Sequence, residues 1–484
     1  MDAVPIALFW MFAVWALAGQ NTRLLYLFFG SMAFGSFAVI PPGVTGGLTF
    51  TPTPIVALMI IARTLTGAEG ITFTITSALM PRRLGLLFLF WVVSVFTTIF
   101  MPRLFAGQVE IISMRGLVTG SSPLGPSTQN ISQLAYLTIS VFAVFAFAKL
   151  LQHPVMRQHT LSAMCFGAAM VIGTGFLDYA SQFLPITPLL EPFRTATYAL
   201  LTDNEVLGAK RVVGLMPEAS AFGGLCFSFL AALYFFRRAM VDARLRDRVV
   251  PVLLSALALL AWLSTSSTAY VGMILFALVA GLEWSWRAAF LRHGALRRRG
   301  LAVEFWVVLL ALGVLTTVIL FRPSLLDPVV AQFDRMVFQK TSTQSFEQRG
   351  MWTAVSLQAF FDTYGLGVGM GGTRASNAVV AVFSNLGLLA GVLYYAFVLQ
   401  SLMRRARFRA DESGAALISA FRWSFLPSFV MGMLSGTSAD FGSFGAFRYG
   451  LVAAVAFTAV KKASSPSRMV EEDRRTIKGS ANAR

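Results

Sequence analysis

Few side chains in this sequence could do chemistry, and those few gather in two stretches. The first is KRVVGLMPEASAFGG, Lys210 to Gly224, in which the basic pair Lys210 and Arg211 leads through Pro217 to Glu218 at the start of an apolar run. A carboxylate about one turn into a membrane-depth helix is costly unless it faces a polar cavity or meets a cation. Glu218 could therefore act as a base toward a hydroxyl, or simply bridge Arg211; the small residues Ala219, Ser220, Ala221, Gly223 and Gly224 around it permit close approach. The second stretch, Gln348 to Asn377, opens on Arg349, passes through Gly365, Gly367, Gly369, Gly371 and Gly372, and reaches Arg374. Guanidinium forks match paired phosphate oxygens, and a glycine-rich turn can present backbone N–H groups to an anion. Plain loop packing is the blander account of the glycines. Ser384 and Asn385, polar groups in the next apolar run, suit either a helix contact or a sugar contact. Asp440 and Arg448 lie two helical turns apart and read as a structural ion pair.

The elements that must position these residues are membrane helices. Of 484 residues, 56% are hydrophobic and 13% charged, against roughly 25% charged in soluble chains, which excludes an ordinary soluble enzyme. Apolar runs long enough to span fall at about 3 to 19, 24 to 41, 51 to 67, 84 to 102, 131 to 149, 160 to 182, 215 to 236, 249 to 265, 268 to 286, 301 to 320, 378 to 402, 418 to 437 and 442 to 460. The expectation is an all-α polytopic membrane protein of 12–13 transmembrane helices, residues 1–462 forming one domain and 463–484 a disordered cytoplasmic tail. The piece Ile71 to Met80 is too short to span and reads as re-entrant or interfacial.

The net charge of +17 resides largely in short clusters between the runs, so it reads as a topology signal and not as a nucleic-acid surface. Arg82/Arg83, Lys149 to His159, Arg237 to Arg248, Arg287 to Arg299, Arg404 to Arg409 and the tail from Lys461 all fall on one side, which should be the cytoplasm. The other side receives three longer segments, 103–130, 183–214 and 321–377. The third should hold a helix over 345–363, lying on the membrane domain. These segments carry Arg103, Glu110 and Arg115, then Lys210 and Arg211, then Arg322, Asp334, Arg335, Lys340, Glu347, Arg349, Asp362 and Arg374. Basic residues on that side call for local ion pairs or for an anionic ligand, and for the set an anion is the better account. His153, His159 and His293 lie in cytoplasmic connections, Cys165 and Cys226 inside apolar runs, and no nucleotide-binding loop is present. Metal and cofactor are both expected to be absent.

The order of parts resembles the O-antigen polymerase and O-antigen ligase superfamily. An Arg-x-x-Gly…Glu element (Arg211, Gly214, Glu218) opens a span, and the hairpin STSSTAY, Ser264 to Tyr270, stands where relatives carry a Thr-x-Ser-Arg-like stretch. A large loop follows with an Arg…Trp element (Arg349, Trp352), a Gly-Leu-Gly-x-Gly-like turn (Gly365 to Gly369) and a helix containing Asn385, Leu386 and Gly387. The likeness covers about 207–392. It implies a GT-C-like glycosyltransferase of the inner membrane that polymerises undecaprenyl-diphosphate-linked repeat units at the periplasmic face. It also implies a flippase and a chain-length regulator as partners besides the surrounding lipids. In that scheme Arg211 and Arg349 hold the diphosphate, Glu218 activates the acceptor, and Arg115, Lys210, Arg374, Arg103 and Asn385 contribute to substrate binding.

Two departures matter. Ligases of the superfamily typically carry a histidine in the loop or at the start of the helix after it, and here the outer segments have none, which favours polymerase over transfer to lipid A–core. The arginine of the hairpin motif is also missing, Thr268 or Ala269 occupying its place. A transporter of lipid-linked sugars is the competing class; it should place ionisable groups at the midplane in both halves.

Overall fold

A computed structural model describes residues 3–45, 49–114, 120–198, 200–202, 205–206, 209–290, 295–334, 344–406 and 411–457. Helix covers 76% of the structure. Long apolar runs force this outcome, because backbone placed in hydrocarbon must satisfy its own N–H and C=O groups. In chain order the helices are α1 (Ala3–Ala18), α2 (Asn21–Ser31), α3 (Pro52–Leu65), α4 (Ala68–Leu79), α5 (Leu86–Leu104), α6 (Thr128–Leu150), α7 (Pro154–Ala180), α8 (Thr187–Leu190) and α9 (Ala219–Phe236). There follow α10 (Val250–Leu263), α11 (Ser267–Phe290), α12 (Ala295–Arg298), α13 (Leu301–Phe321), α14 (Asp327–Phe333), α15 (Gln344–Asp362), α16 (Ala378–Met403), α17 (Glu412–Ser435) and α18 (Gly442–Phe457). Two small antiparallel hairpins, β1 (Glu110–Ile111) with β2 (Ser122–Pro123) and β3 (Glu205–Val206) with β4 (Ala209–Lys210), sit in connections.

Among the described residues, eight helices are long and apolar enough to cross a membrane: Pro81–Leu104, α6, α7, Ala219–Ala239, α11, α13, α16 and α17. The chain is therefore a multi-pass membrane protein, with fewer full-length spans than the 12–13 expected. The reasons are local. The run at 24 to 41 leaves the helix at Ser31, and the chain beyond it bonds elsewhere: Ser36 N donates to Leu215 O at 2.9 Å and Ala38 N to Thr195 Oγ1 at 3.0 Å. The run at 51 to 67 is α3, which meets α4 at a 100° bend, so Ile71 to Met80 belongs to the second arm of a broken span or re-entrant pair. The described residues of α1 and α18 number 16 each, short of the ~20 that cross a bilayer squarely, and α10 continues a π-helical turn, Leu245–Val249, that carries Arg246, Asp247 and Arg248. The helix anticipated over 345–363 is α15. The tail at 463–484 lies outside the described residues.

The core is an aromatic seam. Phe29 on α2 meets Phe28 and Phe447 edge to face at 5.2 and 5.0 Å, and Phe147 on α6 meets Phe28 at 5.1 Å, binding α2, α6 and α18 together. At Gly450 a Cβ would come within 2.4 Å of Phe147 Cβ, so its absence is what lets α18 lie this close to α6.

One end of the bundle collects the basic clusters. Gln158 at the start of α7 donates to Ala239 O and accepts from Val241 N, both at 3.0 Å, which brings it to the end of α9. Gln400 Nε2 donates to Pro81 O at 2.7 Å, and Arg404 donates to Arg83 O, joining the end of α16 to the start of α5. Arg287 Nε bonds Glu283 at 2.8 Å and Arg238 bonds Glu304 at 3.2 Å, tying α9, α11 and α13 through buried charges. Only 6% of the most apolar window of α13 is buried, and it is fastened mainly at this base. The described parts of the Arg82/Arg83, Lys149 to His159, Arg237 to Arg248, Arg287 to Arg299 and Arg404 to Arg409 clusters thus share one end, as alternating spans require.

Candidate functional site

The candidate residues lie at the opposite end, where α9 and α11 begin. The segment before α9 is held by a buried carboxylate. Asp178, at the end of α7, accepts from Val213 N at 2.7 Å and Gly214 N at 3.0 Å, and pairs with Arg194 Nη2 at 2.9 Å. Gly214 has a φ of +58°, and a Cβ there would strike Phe222, so the chain can turn back over α9 only with glycine at this point. This turn delivers Arg211 to the connection between α10 and α11. There its Nε bonds Thr265 Oγ1 at 2.9 Å and Ser264 O at 3.2 Å, and its Nη2 bonds Thr265 O at 3.0 Å. Thr265 adopts a φ of +44°, an uncommon conformation for a β-branched residue, at the very point where both its oxygens grip Arg211. The STSSTAY hairpin is thus the cradle of Arg211, and Nη1 is left without a partner among the described residues.

Glu218 is the N-cap of α9 and not one turn into it; residues 211 to 217 are not helical, so the two-turn spacing expected between Arg211 and Glu218 does not exist. Its carboxylate accepts a hydrogen bond from Ser220 Oγ and, among the described residues, forms no ion pair within 4 Å. The bridge from Glu218 to Arg211 is therefore not made in this structure. Glu218 nevertheless acts through space on Arg211 and Arg374, and Arg349 acts on both of them, so the four groups share one neighbourhood. Burial pushes the pKa of Arg211 and of Arg374 below the ordinary arginine value; the Arg349 charge lowers both further, while Glu218 opposes the shift. Arg374 stacks on Trp352, its guanidinium carbon 4.0 Å from the ring centroid, which explains the tryptophan one helical turn after Arg349 on α15. The Arg349 charge works against those of Arg211 and Arg374, and an anion bound between them would relieve that repulsion.

The glycine-rich turn does not supply a phosphate cradle. Nearly all of its N–H groups are already committed: Gly365 to Phe360 O, Gly367 to Thr363 Oγ1, Val368 to Ser384 O, Gly369 to Asn385 O, Gly372 to Gly369 O and Arg374 to Ile112 O, with Met370 bonded to Thr98 Oγ1. The turn docks against a break in α16, where Gly387 has a φ of +80° and Leu388 N reaches Gly365 O at 2.8 Å. Asn385 is buried beside that break. Its amide donates to Thr373 O and Ala381 O and accepts from Thr373 N, so it locks the turn and has no face turned toward a sugar. Arg103 is exposed at the end of α5 and bonds its own helix at Ile99 O. Lys210 lies in β4, paired with Glu205 of β3. Arg115, Arg335 and Lys340 lie outside the described residues. The structure brings together Arg211, Glu218, Arg349 and Arg374.

Sequence reading missed Asp178 and Arg194, although a lone aspartate closing an apolar run was the available signal. It also anticipated an Asp440–Arg448 pair that does not form: Asp440 accepts from Gly442 N, and Arg448 bonds Ser428 Oγ at 3.0 Å and Ser424 O at 3.4 Å on α17. Asp440 instead takes the first N–H of α18, while Arg448 reaches across to α17.

Because Asp178 and Arg194 side chains are 0% and 4% exposed, breaking their pair leaves a buried charge uncompensated. Asp178→Asn should lower unfolding stability in detergent by about 3 to 5 kcal/mol, and a matched Arg194→Met change should restore part of it. A loss below about 1 kcal/mol, typical of an exposed pair, would show that the staple does not hold the Arg211 segment.

No known family model matches the chain. No curated protein matches it significantly either.

Proposed function

We propose that this protein is a membrane glycosyltransferase that polymerises undecaprenyl-diphosphate-linked oligosaccharide repeat units into O-antigen or exopolysaccharide at the periplasmic face of the bacterial inner membrane. The observation that carries this reading is that Arg211 and Arg374 both lie within electrostatic reach of Glu218 and of Arg349, at the end of the bundle opposite the basic clusters. The resemblance of residues 207–392 to the polymerase and ligase superfamily supplies the substrate class. In the reaction, an acceptor hydroxyl oxygen attacks the anomeric carbon of the donor's reducing-end sugar. The bond from that carbon to the diphosphate oxygen breaks, the diphosphate leaves with the electron pair, and the hydroxyl proton passes to the Glu218 carboxylate. The guanidinium groups stabilise the charge that grows on the leaving diphosphate, so cations of the chain do the work for which other enzymes use a metal.

The test is reconstitution of the purified protein with a defined undecaprenyl-diphosphate repeat unit. A ladder of products differing by one repeat is expected, and it should persist in EDTA. Conversion only on addition of lipid A–core would replace polymerase by ligase. Vectorial movement without new bonds would replace it by a transporter, and a ladder abolished by EDTA and restored by magnesium would overturn the metal-independent chemistry.

A further inference from the structure

Beneath Glu218 a cavity of about 270 Å³ descends between α9, α11 and α17. Its wall repeats at helical spacing: Ser220, Gly224 and Ser228 on α9, Ser428, Gly432 and Ser435 on α17, closed by Thr268 on α11 and by Phe227 and Met431. The bonding of these hydroxyls has a direction. Ser228 donates to Gly224 O at 2.8 Å, Ser428 to Ser424 O at 3.1 Å and Ser435 to Met431 O at 3.0 Å. A carbonyl can only accept, so each of these hydroxyl hydrogens is turned into its own helix and the oxygen lone pairs are what remain for a ligand. At the rim Ser220 donates to Glu218.

Behind the wall lies Arg448, 7% exposed, with no carboxylate within ion-pair distance among the described residues and its Nε without a partner. Its bond to Ser428 Oγ places a positive charge one side chain from the cavity. A surface of acceptor oxygens beside an aromatic ring, with a carboxylate at the mouth and a cation behind the floor, suits a ring that donates several hydroxyl hydrogens and offers an apolar face.

We infer that this cavity is a monosaccharide-binding subsite, reading the acceptor sugar and presenting one of its hydroxyls to Glu218. The inference rests on the glycosyltransferase reading for its role, but the binding itself can be tested apart from activity. At Gly224 an added Cβ meets nothing within 4 Å, so a larger side chain there grows into the cavity without displacing backbone.

The probes are diazirine-bearing alkyl glycosides of glucose, galactose, mannose and N-acetylglucosamine, crosslinked to the purified protein and mapped by peptide mass spectrometry. Undecaprenyl diphosphate binding is measured in the same samples. At least one glycoside should label α9 or α17. Labelling should fall at least tenfold in Gly224→Leu and several-fold in Ser228→Ala, remain near wild type in Gly224→Ala, and leave undecaprenyl diphosphate binding unchanged throughout. No glycoside labelling of these helices in the wild type, or labelling indifferent to Gly224→Leu, overturns the subsite. Should Gly224→Leu fail to fold, Ser228→Ala decides alone: undiminished labelling overturns the subsite. Cavity labelling without any binding of undecaprenyl diphosphate leaves the subsite standing and removes the polymerase reading instead.

Discussion

Glu218→Gln is expected to retain donor binding while slowing single-turnover transfer by about 100-fold or more, the usual scale for removal of a general base. The substitution is a clean one in this setting. Ser220 Oγ donates to Glu218, and a glutamine oxygen can accept the same bond, so that contact survives. Glu218 makes no ion pair among the described residues, and Arg211 is held by Ser264 and Thr265 and not by the carboxylate. A purely bracing role would therefore predict a small change in turnover, with altered donor affinity as the main effect. Near-normal turnover in Glu218→Gln would remove Glu218 from the chemistry.

The parts of this architecture that depend on local composition could be read directly from the chain. Long apolar runs became membrane helices, the periodic stretch after Ser345 became α15, and the basic clusters met at one end. Isolated charges in an apolar chain have few places to go, and Arg211 and Arg374 do lie within electrostatic reach of Glu218 and Arg349, whereas Arg103 is exposed on its own helix and Asn385 is locked in the turn. What escaped reading depends on contacts between distant segments. Residues 32–41 look apolar enough to continue the helix, yet Ser36 and Ala38 find partners at Leu215 and Thr195, far along the chain. The glycines of 365–372 look free to cradle an anion, but Gly365 and Gly367 donate to Phe360 O and Thr363 Oγ1, Gly369 to Asn385 O on α16 and Gly372 to Gly369 O. Glu218 and Arg211 look like a helical pair until Gly214, under the bonds from Asp178, turns the chain between them.

Replacing Arg211 and Arg349 together should have the largest effect on the donor. Each charge-assisted contact to a diphosphate is worth on the order of 2 to 4 kcal/mol in the transition state, roughly 30-fold to nearly 1000-fold in rate. Lysine at either position should recover only part of this. It keeps the charge but has no planar fork, and at Arg211 it cannot bond Ser264 O and Thr265 Oγ1 while still facing a ligand. In the ground state, two lost contacts of about 1.5 to 3 kcal/mol each should weaken donor binding by about 100-fold or more. The central claim is that these arginines form a diphosphate site, and it is tested most directly by titrating undecaprenyl diphosphate into the purified protein and reading the bound fraction by native mass spectrometry. Saturable binding by the wild type, lost in Arg211→Ala/Arg349→Ala and kept in Glu218→Gln, is the predicted result; equal binding by the wild type and the double variant would contradict it.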